Sequence, residues 1–147
     1  MTMRISPAAA RDLDAVLALL AEASLPSAGV AEHLPDGFVV ARAAAKEPLL
    51  GAAGLEVHGS VGLLRSVVVR PDVRGSGLGA RLALKVLEHA AARGVREVYL
   101  LTTTAEDYFP RLGFEPVPRE SLPEALHASA ELRGAGPASA IAMRLRL

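Results

Sequence analysis

The chain has 147 residues, the length of one ordinary domain, and 51% of them are hydrophobic, enough for a sizeable core. Sixteen basic residues balance sixteen acidic ones, so no global field gathers nucleic acid or an anionic membrane, and neither is expected as a partner. With no cysteine there is no disulfide framework, thiolate zinc site or cysteine nucleophile; four scattered histidines lack close ligand spacing, so no metal is expected.

From the N-terminus, MTMRISPAAARDLDAV mixes apolar and charged residues where a secretory signal is continuously apolar, which predicts a cytoplasmic protein. Met3–Ile5 is an extended start. Leu13, Val16, Leu17 and Leu20 then recur at helical spacing, with Asp12 and Asp14 in the first turn, and predict a helix over roughly residues 10–23. Residues 24–37, SLPSAGVAEHLPDG, carry Pro and Gly at both ends of a short helix-compatible stretch and read as a mobile connection. FVVAR is a strand. LLGAAGLEV (49–57) and GLLRSVVV (62–69), separated by HGSV, predict a hairpin and an antiparallel meander. Residues 79–93 place Leu82, Val86, Leu87 and Ala90 on one face and Arg81, Lys85, Glu88 and Arg93 largely on the other, with Gly94 as the C-terminal cap. VREVYLLT (95–102) follows directly, so residues 62–102 form a strand-helix-strand unit with parallel strands.

Beyond it, AEDYFPRLG predicts a short helix stopped by Gly113, and FEPV a short strand. Ser121 with Glu124 spells a capping box for a helix near 122–129, and Ser139, Ile141, Met143 and Leu145 alternate as a closing strand. Nothing separates the chain into parts: the expectation is one domain over residues 1–147. Its class is α/β, with a mixed, mostly antiparallel sheet flanked by helices.

The segment VVVRPDVRGSGLGARLALKV puts Gly75, Gly77 and Gly79 between a strand and a long helix. Glycine lets backbone N–H groups turn inward at positive φ, and the following helix adds unpaired donors and the positive end of its dipole. Arg70, Arg74 and Arg81 flank the loop, so it suits a phosphate or pyrophosphate; a tight packing turn is the bland alternative. Gly75, Gly77 and Ala80 also fit a dinucleotide fingerprint, with Glu97 about 20 residues on. Five residues nevertheless separate that first glycine from the strand, an antiparallel meander precedes it, and a second mononucleotide half is lacking.

From Arg74 the residues run R-G-S-G-L-G, which resembles the R/Q-x-x-G-x-G/A signature of the GNAT superfamily of acyl-CoA N-acyltransferases. VVVRPDVRG, the helix, VYLLTTT and YFPRLGF follow the order of that family along nearly the whole chain. The resemblance implies a single-domain N-acetyltransferase using acetyl-CoA. It implies that the amides of Arg74, Gly75, Ser76, Gly77, Leu78, Gly79 and Ala80 hold the pyrophosphate. Val67 and Val69 would pair with the pantetheine arm, and amides near Val67 and Val68 would polarise the thioester carbonyl. Dimers are common among similar proteins, so a homodimer is a partner state it allows. A non-catalytic acetyl-CoA sensor on the same fold is the alternative, with a dinucleotide oxidoreductase third.

Direct attack on the thioester needs a neutral amine, a stabilised oxyanion and a route for the thiolate. Glu56 and His58 share a strand face and are candidate proton relays, against an ordinary solvated role. Glu32 and His33 lie where the family often builds its acceptor pocket. Many relatives carry a tyrosine where this chain has Phe109. Tyr108 is adjacent but points about 100° away on a helix, so Phe109 is assigned to the thioester pocket and a phenolic acid at Tyr108 is open. Arg65 interrupts an apolar strand, on a face read as shared with Leu63, Val67 and Val69. It needs an anionic partner: Glu56, Asp107, or a substrate carboxylate. Thr102, Thr103 and Thr104 offer hydroxyls at the next strand end. LLRSVVV, YLLTTTAEDYFPRLGF and PASAIAM are most similar to small acetyltransferases of arsenic-resistance operons, and partly to acetylglutamate synthase domains. That implies a small amino-acid-like acceptor, glutamate-like or arsenic-containing. With no thiol near Gly136, Pro137 and Ala138, arsenite coordination by cysteine is excluded.

Overall fold

The computed structural model describes residues 3–44, 46–103, 105–134 and 140–147; Thr104, Ser139 and the 136–138 segment discussed above lie outside the described residues. Among the described residues seven strands make one sheet: β1 (Arg4–Pro7), β2 (Phe38–Arg42), β3 (Gly51–His58), β4 (Val61–Val69), β5 (Glu97–Thr102), β6 (Glu115–Val117) and β7 (Ile141–Arg146). Their order is β1-β2-β3-β4-β5-β7-β6. β4 and β5 run parallel and the other neighbouring pairs antiparallel, which is the mixed sheet expected from the pattern.

Helices α1 (Leu13–Glu22) and α2 (Val30–Gly37) cover one face, α3 (Leu78–Ala92) the other, and α4 (Ala130–Gly134) lies near the end of the chain. α3 is a helix because its apolar residues recur every three or four positions: Leu78, Leu82, Ala83, Val86, Leu87 and Ala90 are all buried. Gly94 stops it at φ +82°, and Val95 N–H donates to the Ala90 carbonyl, the wrap-back that satisfies a helix end. Against α3 pack Val39, Leu55, Leu64, Val98 and Phe109; on the opposite face α1 and α2 bury Val16, Leu20, Val30 and Leu34 against Phe38 and Val68. Among the described residues no helix is long and apolar enough to cross a membrane.

Two expectations are corrected. Residues 24–37 are not a plain connection, because Val30–Gly37 forms α2, anchored by buried Val30 and Leu34. The Ser121–Glu124 capping box does not form either: Ser121 Oγ donates to the Pro118 carbonyl, and Leu122, the residue before Pro123, is extended at φ −60° and ψ 130°, the region a following proline favours. Short 3-10 turns over Arg119–Ser121 and Glu124–Ala128 stand there instead.

Candidate active site

The cleft begins where the parallel pair comes apart. β4 and β5 pair from Val61↔Glu97 to Leu63↔Tyr99, yet β4 continues to Val69 and β5 to Thr102. Gly54 of β3 faces Arg65 of β4 and Ala52 faces Val68, so Ala53 opposes both Ser66 and Val67, and Ser66 takes φ +59°. This is a β-bulge, which bends the strand and leaves ladder groups unpaired. It also flips the alternation. Leu64, Val67 and Val69 face α3, whereas Leu63 and Arg65 face the other way, so Arg65 does not share a face with Val67 and Val69 as simple period-two counting had it.

The opening holds two adjoining cavities of about 530 and 670 Å³, which share Val67, Val69, Arg74, Ala105 and Phe109. The larger is a mouth lined by Gly75, Gly77, Leu78 and Gly79, with Arg74 and Arg111 as its cations. Gly75 and Gly77 adopt φ +85° and +84°, the left-handed conformation that side chains resist, and Gly77 is the N-cap of α3. First-turn N–H groups of α3 precede the Arg81→Gly77 bond and have no helical acceptor; Leu78 N–H has a long contact to Ser76 Oγ at 3.4 Å. A Cβ on Gly79 would sit 3.1 Å from the Tyr108 hydroxyl, so glycine there lets the phenol approach. Backbone donors at a helix N-terminus and two arginines give this mouth a chemistry suited to an anion. Arg74 Nε also contacts the Val69 carbonyl at 3.3 Å, on the strand assigned to the pantetheine arm.

The smaller cavity lies deeper between the splayed strands, walled by Ser24, Pro26, Arg65, Thr102, Thr103 and Glu131, among others. Arg65 is 3% exposed. Its Nη1 donates to Glu56 Oε2 at 2.7 Å and to the Ala28 carbonyl at 2.5 Å; its Nε donates to Ser66 Oγ at 3.1 Å and lies 3.7 Å from Glu131 Oε1. Of the protein partners considered for it, Glu56 is the one met; Asp107 instead lines the mouth. Burial works to raise the Glu56 carboxyl, but hydrogen bonds with His58, Arg65 and Ser129 and the Arg65 charge outweigh it and hold it below the ordinary range. Glu131 is the opposite case: burial, helped by the Glu56 charge and opposed by Arg65, pushes it up to about 7.

His58 Nε2 lies 2.9 Å from Glu56 Oε1, and His33 Nε2 lies 3.6 Å from the same oxygen, so three residues far apart in sequence meet. Their ligand atoms fall within 4.8 Å of one another, a donor set able to hold a metal ion. With one Glu56 oxygen on His58 and the other on Arg65, hydrogen bonds already account for the arrangement. Glu56, His33 and His58 thus stand behind Arg65, outside the cavity walls, and Glu32 is exposed on α2. Tyr108 lines the mouth alone, its hydroxyl raised by burial, while buried Phe109 borders both cavities. Thr102 is buried and accepts the Ala105 N–H at 3.0 Å, and Thr103 is exposed at the rim. Val68 packs on the α1 and α2 side and also lines the smaller cavity, and Ser76 and Ala80 sit beside the mouth without lining it. Sequence reasoning passed over Arg111, although it lies within YFPRLGF, and Glu131, whose one signal is an acid between apolar Ala130 and Leu132.

A strand, a glycine loop and the N-terminus of α3 thus line a mouth that adjoins a second cavity between the splayed parallel strands. Residues 11–114 match the model of the acetyltransferase (GNAT) family, and the chain belongs to that family. It is 38% identical to the amino-acid acetyltransferase of Salmonella typhi over 68 residues, covering 46% of this chain and 15% of that protein. It is 39% identical to the Aeromonas salmonicida amino-acid acetyltransferase over 57 residues, 39% of this chain and 13% of that one. The chain therefore aligns with only a small part of these curated relatives. In fold it is similar to N-acetylglutamate synthase from Neisseria gonorrhoeae, solved with coenzyme A and N-acetyl-glutamate. That likeness has a TM-score of 0.81 at 22% identity, over 100% of this chain and 35% of that one. An acetyltransferase of the GNAT family from Staphylococcus aureus Mu50 superposes with a TM-score of 0.78 at 16% identity, over 99% of both chains.

Proposed function

We propose that the chain is an acetyl-CoA-dependent N-acetyltransferase acting on the primary amine of a small amino-acid-like acceptor. The observation that carries this reading is the continuity of the glycine-lined mouth with the cavity at the β4 bulge. Acetyl-CoA, a substrate of the reaction, fits the mouth: left-handed glycines, first-turn amides of α3, Arg74 and Arg111 suit its pyrophosphate, and Val67, Val69 and Val73 suit the apolar arm. Amides of Val67 and Val68 at the bulge stabilise the developing oxyanion, and Phe109 borders the thioester. Tyr108, facing the mouth, is the candidate donor to the departing thiolate.

The acceptor occupies the smaller cavity. Arg65 lines it with Nη1 paired to Glu56, while its Nη2, held by one long contact, 3.5 Å to the Pro26 carbonyl, is the donor available to an acidic amino acid. Similarity to amino-acid acetyltransferases supports an amino-acid acceptor. Glutamate-like and arsenic-containing amino acids are its finer candidates, and Thr102 and Thr103 are polar contacts for either.

Calorimetry with coenzyme A and acetyl-CoA, followed by an amine-library screen with mass detection, tests the proposal. Saturable binding and one acetylated amino acid are expected. Absence of binding overturns it, and binding without product turns the chain into a sensor of acetyl-CoA.

A further inference from the structure

We propose that Glu131, on α4, is the general base of this reaction, taking the proton from the acceptor ammonium inside the smaller cavity. The assignment rests on the acetyltransferase reading and adds to it the residue that makes the amine nucleophilic.

The geometry distinguishes the two carboxylates beside Arg65. Glu56 is fully buried and has no place in the cavity wall, whereas Glu131 is buried and forms part of that wall. Arg65 is committed to Glu56 and Ala28 through Nη1 and to Ser66 through Nε, so Glu131 is left 3.7 Å from Nε, beyond hydrogen-bond distance. Among the described residues the charged groups facing Glu131 are Arg65 from β4 and Glu56 from β3; Glu56 in turn carries His58 of β3 and His33 of α2 on its far oxygen. Burial thus acts on Glu131 with one incomplete counter-charge and one like charge, and its carboxyl rises to about 7. A base is most effective with its affinity for protons near the working pH. Glu56, held below the ordinary range, stays ionised and is a poor acceptor of an ammonium proton.

In the step itself the Glu131 carboxylate takes one proton from the ammonium, and the freed lone pair attacks the thioester carbonyl carbon. The C–S bond breaks, and its electron pair leaves on sulfur. The amine nitrogen loses a second proton on becoming an amide, so one proton ends on the thiol and one in solvent. Product amide, thiol and one proton balance ammonium and thioester.

The test is steady-state kinetics from about pH 5.5 to 9 on wild type, E131Q and E131D, with acetyl-CoA affinity measured separately by calorimetry. Wild-type kcat/KM is expected to fall on the acid side with an inflection near about 7, besides the limb set by the acceptor's own amine. E131Q should lose on the order of 10²–10⁴-fold in kcat. It should also lose that inflection and keep its acetyl-CoA affinity within about twofold, with E131D between the two. If E131Q keeps kcat within about threefold, or if its whole defect is in acceptor KM with the inflection retained, Glu131 anchors the acceptor and is not the base. A wild-type profile without an inflection near neutrality overturns the proposal even if neither variant folds. Wild-type protein that binds acetyl-CoA and acetylates nothing fails the underlying reading, a result obtained before any variant is made.

Discussion

The two halves of the cleft are built differently. The mouth comes from nearly contiguous chain, β4 through the first turn of α3, closed by the 105–111 segment, and its loop is shaped by backbone conformation at Gly75 and Gly77. The inner cavity is assembled from the end of α1, the β4 bulge, the end of β5, Glu131 and Ala140, and its polar groups are side chains held by one another. Backbone geometry keeps its shape when one residue changes. A buried ion network does not, because removing one member strands another.

The largest effect expected from that contrast is at Arg65. R65M leaves the fully buried Glu56 carboxylate without its cation, a change that costs about 3–5 kcal/mol when a buried pair is broken. Urea unfolding should show the loss, and the double variant R65M/E56Q should recover part of it. A cost below about 1 kcal/mol would mean that the network does not hold the inner cavity.

Next in size is a pH effect that separates Glu131 from Glu56. Glu131 has a folded-state value of about 7, above its unfolded value of about 4.5, so the folded state binds more protons across that window. Stability therefore falls as pH rises from about 4.5 to 7, by roughly 3.5 kcal/mol in all, at about 1.4 kcal/mol per unit. E131Q should abolish this slope and be the more stable protein above pH 7. Glu56 and Asp12, both lowered overall although burial works to raise them, act in the opposite sense: their stabilisation is present above the unfolded values and lost as pH falls below them. Thermal melts of wild type and E131Q over that range read the difference. Parallel slopes would place Glu131 in water-like surroundings.

Legibility in the sequence followed the same division. The meander, the α3 periodicity and the glycine loop are local patterns, so strand limits near Gly51–His58 and Val61–Val69 and the Gly94 cap could be read directly. The bulge at Ser66 could not: one extra residue reverses the faces beyond it, and only the pairing of Ala52 with Val68 and Gly54 with Arg65 reveals that. Arg65's need for an anion followed from its place in an apolar strand, while the choice of Glu56 came from strand register. Glu131 stayed hidden because its burial comes from packing near the chain's end, not from any pattern around it. His33 and His58 looked scattered because α2 and β3 bring them together only in three dimensions.

The smallest of these effects isolates backbone conformation in the mouth. Gly77 sits at φ +84° and a Cβ there would touch nothing within 4 Å, so G77A carries the cost of a left-handed alanine, about 1–2 kcal/mol, and no steric clash. Gly59, in the β3–β4 turn at φ +70°, also has open space around its Cβ position and should cost the same. Both variants should therefore melt at similarly lowered temperatures. Only G77A should also weaken acetyl-CoA, because relieving its strain rotates the peptide units that the proposed function gives to the pyrophosphate at the start of α3. Equal acetyl-CoA affinity in the two variants would reduce the glycine at 77 to a turn residue, and would leave Arg74 and Arg111 to hold the anion.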